Sequence, residues 1–192
     1  EDTLSLHDAL PICSIIGKLI NVSTKFVLLA PKKSLKRYFE KTYFSIARFY
    51  ILKDINKQLP ISNLPIISLD ADALFINQMD HNVLSIKCDL AIKTRANIEQ
   101  KFLAGAIYYP ANANRTRILT SISNAAQEII QNQELIWGID QLILNNIIPE
   151  FHYTELPNSL GDLNFSQESC IWLAKGNSKD DAKYLEYKNR LC

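Results

Sequence analysis

The chain has 192 residues, which is enough for one domain with a sizeable core and too few for two ordinary domains. Its 21 Lys and Arg and 20 Asp and Glu give a formal net charge of +1, which excludes a nucleic-acid binder acting through a whole-surface positive field. No apolar run approaches the ~20 residues needed to cross a bilayer. The cysteines at 13, 88, 170 and 192 are too widely spaced for a structural zinc site, so we expect reduced thiols in a cytoplasmic protein.

The first twelve residues, EDTLSLHDALPI, are expected to be foreign to the protein. The stretch from Thr3 to Ile12 is what ten consecutive codons of a common short-read sequencing adapter encode, and such scars are set aside before the fold is considered. We therefore expect residues 1–12 to be a non-native, adapter-derived segment. Residues 13–192 would form a partial domain that lacks its amino-terminal part.

The first predicted elements lie before residue 60. The tail of a helix is predicted at 14–20, and a β-branched, apolar run at 23–30 predicts a buried strand. The segment 31–41 is rich in Lys and Arg, and indicates either a solvated face or a basic rim near a phosphate-bearing donor. Apolar residues at helical spacing over 43–55 predict a helix that packs on a sheet.

The rest of the chain alternates predicted strands and helices. A short apolar strand at 65–69 runs directly into Asp70. The further elements are strands at 84–92 and 102–109, a helix capped by 110–112 and ending near 131, a helix at 139–147, and weaker strands at 150–153 and 169–173. This alternation predicts an α/β sandwich with a mostly parallel central sheet flanked by helices.

The acidic triplet Asp70-Ala71-Asp72 is poorly explained by packing. Strand interiors disfavour Asp, and a buried charge needs a cation or hydrogen-bond donors. Ligands of open α/β sheets bind beyond the carboxyl ends of strands, and Mg²⁺ or Mn²⁺ binds through one or two carboxylates plus substrate phosphates. Alternatively, one Asp caps the turn and the other faces water.

An ordered series of short motifs surrounds the triplet. The series consists of YFSIARF at 43–49, PIISLDADALF at 65–75, DLA at 89–91, FLAGAI at 102–107 and WGIDQ at 137–141. In order and spacing it resembles glycosyltransferase family 8 and related bacterial nucleotide-diphospho-sugar transferases. The resemblance covers roughly residues 43–187 and implies a GT-A-type sandwich that is incomplete at its amino-terminal side.

The resemblance implies a donor site built around the triplet. Asp70 and Asp72 would bind Mn²⁺ or Mg²⁺ and, through the ion, the diphosphate, with Ala71 lying between them at the donor. The stretch IWLAKGNSK at 171–179 resembles the closing phosphate loop of the family, which has the pattern His-x-x-Gly-x-x-Lys.

The closing loop fits the family pattern only in part. Gly176 and Lys179 have the expected spacing, and Lys175 is a second candidate for the lysine that binds the diphosphate. Leu173 stands where the family has its histidine, so the third protein ligand of the metal is missing.

The resemblance also implies roles for residues outside these two motifs. Arg48 would approach the donor, Ala104 and Gly105 would line the sugar pocket, and Asp140 and Gln141 would act at the reaction centre. Each has a purely structural alternative. Arg48 would make a helix-to-sheet salt bridge, Gly105 would form a bulge, and Asp140 would be a helix N-terminal acid favoured by the helix dipole.

The function implied is transfer of a sugar from a nucleotide-diphospho-sugar donor to a glycan, lipid-linked or protein acceptor, with retention at the anomeric carbon. One alternative is a phosphatase of the haloacid-dehalogenase type, in which Asp70 is the nucleophile and Lys179-Asp180-Asp181 supplies the later elements. The polar loop before these residues, and Ala73 after the triplet, weigh against it. Another alternative is a degenerate transferase-like module that binds sugar without catalysis.

Overall fold

The computed structural model describes residues 37–58, 64–70, 72–79, 86–96, 100–132 and 136–191. The predicted elements at 14–20 and 23–30, and most of the basic segment at 31–41, lie outside the described residues. The described residues form a mixed α/β protein that divides into two compact units. The larger unit comprises those between 37 and 68 and between 86 and 156, and the smaller unit comprises those between 69 and 79 and between 157 and 191.

Four α-helices and six strands are present in the described part of the chain. The helices are α1 (Arg37–Gln58), α2 (Arg115–Gln131), α3 (Ile139–Ile147) and α4 (Ala182–Leu191), and short 3₁₀ segments occupy Ile148–Glu150, Asn158–Leu160 and Gly176–Asp180. The strands are β1 (Ile66–Leu69), β2 (Leu74–Phe75), β3 (Leu90–Thr94), β4 (Phe102–Tyr109), β5 (Tyr153–Glu155) and β6 (Ile171–Trp172).

Three helices belong to the larger unit. Helix α1 extends the predicted helix at both ends, and α3 has the predicted bounds. Helix α2 begins after an asparagine turn, in which the Asn112 Oδ1 accepts the backbone N–H groups of Asn114 and Arg115, both at 3.0 Å. The helical spacing of apolar residues predicts a stripe on α2 made of Ile118, Ile122, Ala126 and Ile129. The first three are buried and Ile129 is half-buried against the core, while the opposite face is exposed.

The four-stranded sheet has the order β1-β4-β3-β5. Strand β3 is antiparallel to β4 and parallel to β5. The sheet is therefore mixed, whereas the sequence predicted a mostly parallel one. The reason is the short connection between β3 and β4: it spans residues 95–101, too few for the crossover that parallel neighbours need.

Strand β4 is the centre of the larger unit. All eight of its residues are buried, as expected of a strand covered on both faces, and its predicted bounds are confirmed. The apolar core around it draws on the sheet and on all three helices of the unit. It includes Ile46, Phe49, Ile92, Phe102, Ile107, Tyr109, Ile118, Leu119 and Leu144.

A β-bulge interrupts the pairing of β4 with β3. Ile92 is paired with Ile107, but the next residue, Lys93, is paired with Leu103. Residues 104–106 of β4 therefore have no direct partner on β3. The small side chains of this stretch, Ala-Gly-Ala, let the strand bend while it stays buried.

The smaller unit contains a two-stranded antiparallel sheet of β2 and β6, in which Leu74 pairs with Trp172. An aromatic cluster packs on it, with ring centroids of Phe165 lying 5.5 Å from those of both Trp172 and Tyr184. The strand predicted at 169–173 is confirmed, although β6 is shorter than predicted. Strand β2 and helix α4 were not predicted.

A buried aspartate organises the loop before β6. The Asp162 carboxylate accepts the backbone N–H groups of Asn164 at 2.7 Å and Ser166 at 2.6 Å, and the Ser169 hydroxyl at 2.7 Å. These charge-assisted bonds compensate for the burial of Asp162, whose exposed fraction is 3%.

None of the helices in the described residues has the length and apolar character that crossing a bilayer requires.

Candidate functional site

Asp70 and Asp72 lie in the connection between β1 and β2. The Ala73 backbone N–H donates to the Asp70 carbonyl at 3.1 Å, and Ala71 lies outside the described residues. The side chains of Asp70 and Asp72 are partly exposed, at 24% and 21%. Both carboxylates can therefore reach a ligand in solvent, as the predicted metal site requires.

Each of the two carboxylates is paired with a lysine from the far end of the chain. The Lys175 Nζ contacts the Asp70 Oδ2, and the Lys179 Nζ contacts the Asp72 Oδ2. The first pair joins positions 105 residues apart. The structure thus brings together the two motifs that the resemblance placed on one diphosphate, and we call these four side chains the Asp–Lys cluster.

A local hydrogen-bond pattern shapes the loop that carries the two lysines. The Ser178 hydroxyl accepts the Lys175 backbone N–H at 2.7 Å and donates to the Lys175 carbonyl at 2.8 Å. Gly176 has a positive φ of 54°, a conformation that L side chains rarely adopt. The loop backbone is therefore held while the two lysine side chains, at 37% and 52% exposed, extend from it.

The aromatic residue Tyr184 ties α4 to the acidic turn. Its hydroxyl donates to the Asp72 backbone carbonyl at 2.7 Å, and the residue is 2% exposed. Burial, together with the nearby Asp72 charge, raises the pKa of Tyr184 to about 12. The hydroxyl therefore stays protonated and remains a donor at neutral pH. Tyr184 was not among the site residues predicted from the sequence.

The donor set of the Asp–Lys cluster fits a divalent metal ion only with help from a ligand. Carboxylate oxygens suit Mg²⁺ and Mn²⁺, which commonly use one or two carboxylates and complete their shell with phosphate and water. Among the described residues, no group of three or more His, Cys, Asp or Glu is placed to hold a metal ion. Leu173, at the position of the family's histidine, is buried at 1% exposure. A bound diphosphate would add oxygen ligands to the two carboxylates that the described residues supply.

A second cluster of predicted site residues lies within the larger unit. The Arg48 Nη2 donates to the Asp140 Oδ2 at 2.9 Å, and the two side chains are 18% and 13% exposed. The Asp140 Oδ1 also accepts the Gln141 backbone N–H at 2.9 Å, in the first turn of α3. The salt bridge considered for Arg48 therefore exists, although it joins two helices and not a helix and the sheet.

Gln141 is held by an arginine that the sequence did not single out. The Arg95 Nη2 donates to the Gln141 Oε1 at 2.6 Å, and the Arg95 Nε donates to the Gln100 carbonyl at 2.6 Å. Arginine has no acceptor, so the Gln141 amide must present its oxygen to Arg95. Gly138, at the start of α3, has a φ of 78°, and a Cβ there would lie 2.9 Å from the Gln100 Nε2. The glycine thus leaves room for the side chain that supports Arg95.

The predicted sugar-pocket residues lie inside β4. Ala104 is 4% exposed and belongs to the apolar core, and Gly105 is buried in the middle of the bulge. The structural alternative for Gly105 is therefore confirmed, while its role towards a sugar stays a prediction. Tyr109 at the end of β4 is fully buried, and burial raises its pKa despite the opposing effect of the Arg48 charge.

The predicted site residues with charged or amide side chains thus fall into two clusters, each within one compact unit, whereas Ala104 and Gly105 lie inside β4. No protein-family model matches the chain, and neither a curated protein nor a solved structure matches it. The function is therefore inferred from the chemistry of these clusters and from the order of the sequence motifs.

Proposed function

We propose that the chain is a GT-A-type glycosyltransferase that moves a sugar from a nucleotide-diphospho-sugar donor to a glycan, lipid-linked or protein acceptor. The supporting observation is the Asp–Lys cluster. Two partly exposed carboxylates and two partly exposed lysines meet in one place, although they come from distant parts of the sequence. This combination suits a diphosphate and a divalent cation, because each brings a charge that one half of the cluster complements.

In the proposed reaction the chain binds and orients the leaving diphosphate. Lys175 and Lys179 donate hydrogen bonds to its oxygens, and Asp70 and Asp72 are the residues that would hold Mn²⁺ or Mg²⁺. Such an ion, when bound, stabilises the charge that builds up on the leaving group. The sugar gains oxocarbenium character as the bond to the diphosphate breaks, and we propose retention at the anomeric carbon.

Taken by itself, the second cluster offers hydrogen-bonding groups of the kind that bind sugar hydroxyls. Arg48 fixes the orientation of the Asp140 carboxylate, which is an acceptor. With Arg95 bound to its oxygen, Gln141 still has its two N–H donors for a ligand. The two neighbouring side chains of α3 thus offer a carboxylate acceptor and amide donors.

We place the reaction in the cytoplasm. In the described part of the chain, Cys88 and Cys170 are buried thiols outside any disulfide. Burial and the adjacent Asp89 charge raise the pKa of Cys88 to about 11, so its thiol stays protonated and unreactive. Thiols of this kind suit a reducing compartment.

The test measures release of nucleoside diphosphate from a panel of nucleotide sugars, with and without Mn²⁺. Replacing Asp72 by Ala should abolish metal-dependent release. The matched control is Asp54→Ala, because Asp54 also pairs with a lysine, Lys57 at 3.7 Å, but on the exposed surface of α1. Unchanged turnover in the Asp72 variant would refute the assignment.

A non-catalytic sugar-binding module is the second candidate, and the burial of Leu173 favours it. Calorimetry with the same nucleotide sugars, with and without Mn²⁺, separates the two: the module binds without releasing diphosphate.

The phosphatase alternative is disfavoured by Asp181, whose Oδ1 accepts the Lys183 and Tyr184 backbone N–H groups at 2.8 and 3.4 Å. This carboxylate caps α4, a structural role that leaves it poorly suited to hold a metal. Release of phosphate from a simple phosphomonoester would reinstate that alternative.

A further inference from the structure

We propose that Lys175 and Lys179 are built-in counter-cations, which occupy the metal-binding carboxylates until a diphosphate draws them away. Anion and metal would then bind the Asp–Lys cluster with positive cooperativity. This inference rests on the proposed function, because it takes Asp70 and Asp72 as the metal ligands and the two lysines as diphosphate ligands. It adds the order in which diphosphate and metal bind and the coupling between their affinities, neither of which follows from one motif alone.

The first observation is that each carboxylate of the Asp–Lys cluster is paired with a different lysine. Each carboxylate has a lysine ammonium on its Oδ2. A lysine has three donors and no acceptor, so it cannot join the coordination shell of a metal ion. A divalent ion arriving at these carboxylates meets two positive charges at contact distance, and its binding is weakened by their repulsion.

The second step is that the lysines can leave. Their side chains are 37% and 52% exposed, and exposed ion pairs contribute only about a fivefold factor or less to an equilibrium. The Ser178 hydroxyl holds the loop backbone on both sides of Lys175, so the flexible stems can change partner without refolding of the loop.

The third step is the exchange itself. A diphosphate offers several charged oxygens, which can replace the carboxylates as acceptors for both ammonium groups. The carboxylates that this exposes are then available to a metal ion, which also binds the diphosphate. By linkage, whatever factor the anion contributes to metal affinity, the metal contributes equally to anion affinity.

The first arm of the test measures Mn²⁺ binding without any anion, by the electron paramagnetic resonance signal of free Mn²⁺. The Lys175→Met/Lys179→Met double variant should bind Mn²⁺ about tenfold more tightly than the unaltered chain. The control is Lys57→Met, which breaks the exposed pair with Asp54 and should leave Mn²⁺ affinity unchanged. If the double variant unfolds, Lys179→Met alone, at the more exposed pair, should still show a gain of several-fold.

The second arm measures binding of inorganic pyrophosphate by calorimetry in the presence of a chelator. Asp70→Asn/Asp72→Asn should bind pyrophosphate about tenfold more tightly than the unaltered chain, because both lysines are released. Asp54→Asn is the control and should show no gain. No metal is present, so complexes between the metal and pyrophosphate do not contribute.

The outcomes distinguish failure of this inference from failure of the proposed function on which it rests. If the unaltered chain and the lysine variants bind Mn²⁺ equally, the metal site stands and the exchange is refuted. An absence of any gain in pyrophosphate affinity in the Asn variant refutes it in the same way. If neither the unaltered chain nor the lysine variants bind Mn²⁺, the proposed metal-dependent function fails, and the exchange fails with it.

Discussion

The ion pair between Arg48 and Asp140 provides a direct test of the second cluster. The perturbation is a double-mutant cycle of Arg48→Met, Asp140→Asn and both together. Methionine retains much of the arginine stem, so the packing of that stem is kept while the charge is lost. Asparagine keeps the shape of the aspartate and one acceptor oxygen.

The expected magnitude follows from the geometry of the pair. The two atoms are 2.9 Å apart and the side chains are 18% and 13% exposed, so the pair lies between surface and interior. Exposed pairs contribute about 0.2–1 kcal/mol, and removing one partner of a buried pair costs about 3–5 kcal/mol. We expect a coupling energy of about 1–2 kcal/mol and a loss of about 2–3 kcal/mol for Arg48→Met.

The assay is urea unfolding of the four proteins, read as the change in the free energy of unfolding. The reference is the same cycle at Lys57 and Asp54, which are 3.7 Å apart and 63% and 65% exposed. That pair should show a coupling of about 0.3–0.5 kcal/mol. If the coupling of Arg48 with Asp140 is no larger than this, partial burial does not strengthen the pair and the reasoning is wrong.

Three further outcomes are expected. Replacing Gly138 by Ala should lower the free energy of unfolding by about 2 kcal/mol, whereas Gly176→Ala should cost only about 1 kcal/mol. Both glycines have positive φ, but a Cβ at 138 would also push aside the Gln100 amide and break the hydrogen bond that its Oε1 accepts from Arg95. Urea unfolding measures both losses, and equal losses would show that this hydrogen bond adds nothing. Stability should fall as pH rises from about 10 to about 12, because unfolded tyrosine deprotonates while Tyr184 stays protonated in the fold. In Tyr184→Phe this alkaline slope should shrink by about one proton, and an unchanged slope would exclude Tyr184 as its source. Leu173→His should destabilise the chain by about 2 kcal/mol without tightening Mn²⁺ binding, since an imidazole would be buried there; tighter binding would show that the position faces the metal.

The sequence predicted the elements whose signal is local. Every residue of 102–109 is apolar or small, and the strand appears at those bounds because both of its faces are covered. The helix at 139–147 and the buried stripe of α2 follow in the same way from helical spacing.

Elements that depend on distant partners were missed. Strand β2 has two residues, too few for any periodic pattern, and it exists through its pairing with β6 near the other end of the chain. Strand β3 was expected at 84–92 and lies at Leu90–Thr94. Its bounds follow its pairing with β5, in which Tyr153 and Glu155 are partners of β3 residues. Its antiparallel partner could have been inferred from the length of the connection that follows it.

The sequence predicted which residues belong to the candidate site better than it predicted how those residues are arranged. The positions of Asp70, Asp72 and the two lysines came from motif order, but nothing in the sequence said which lysine would pair with which carboxylate. Arg95 and Tyr184 were missed for a physical reason. Each reaches the candidate site through a hydrogen bond to a residue far along the chain, Arg95 to Gln141 and Tyr184 to the Asp72 carbonyl. Such bonds leave no mark on local spacing.

The discontinuous smaller unit has a consequence for synthesis of the protein. Its two described segments, 69–79 and 157–191, are separated by most of the larger unit. During translation the acidic turn leaves the ribosome before the two lysines that pair with it, because 157–191 follows 69–79 in the chain. A chain cut between Leu173 and Lys175 would keep the residues of the apolar core around β4 and lose both lysines of the Asp–Lys cluster at once. The cluster is therefore incomplete until Lys179 has been synthesised.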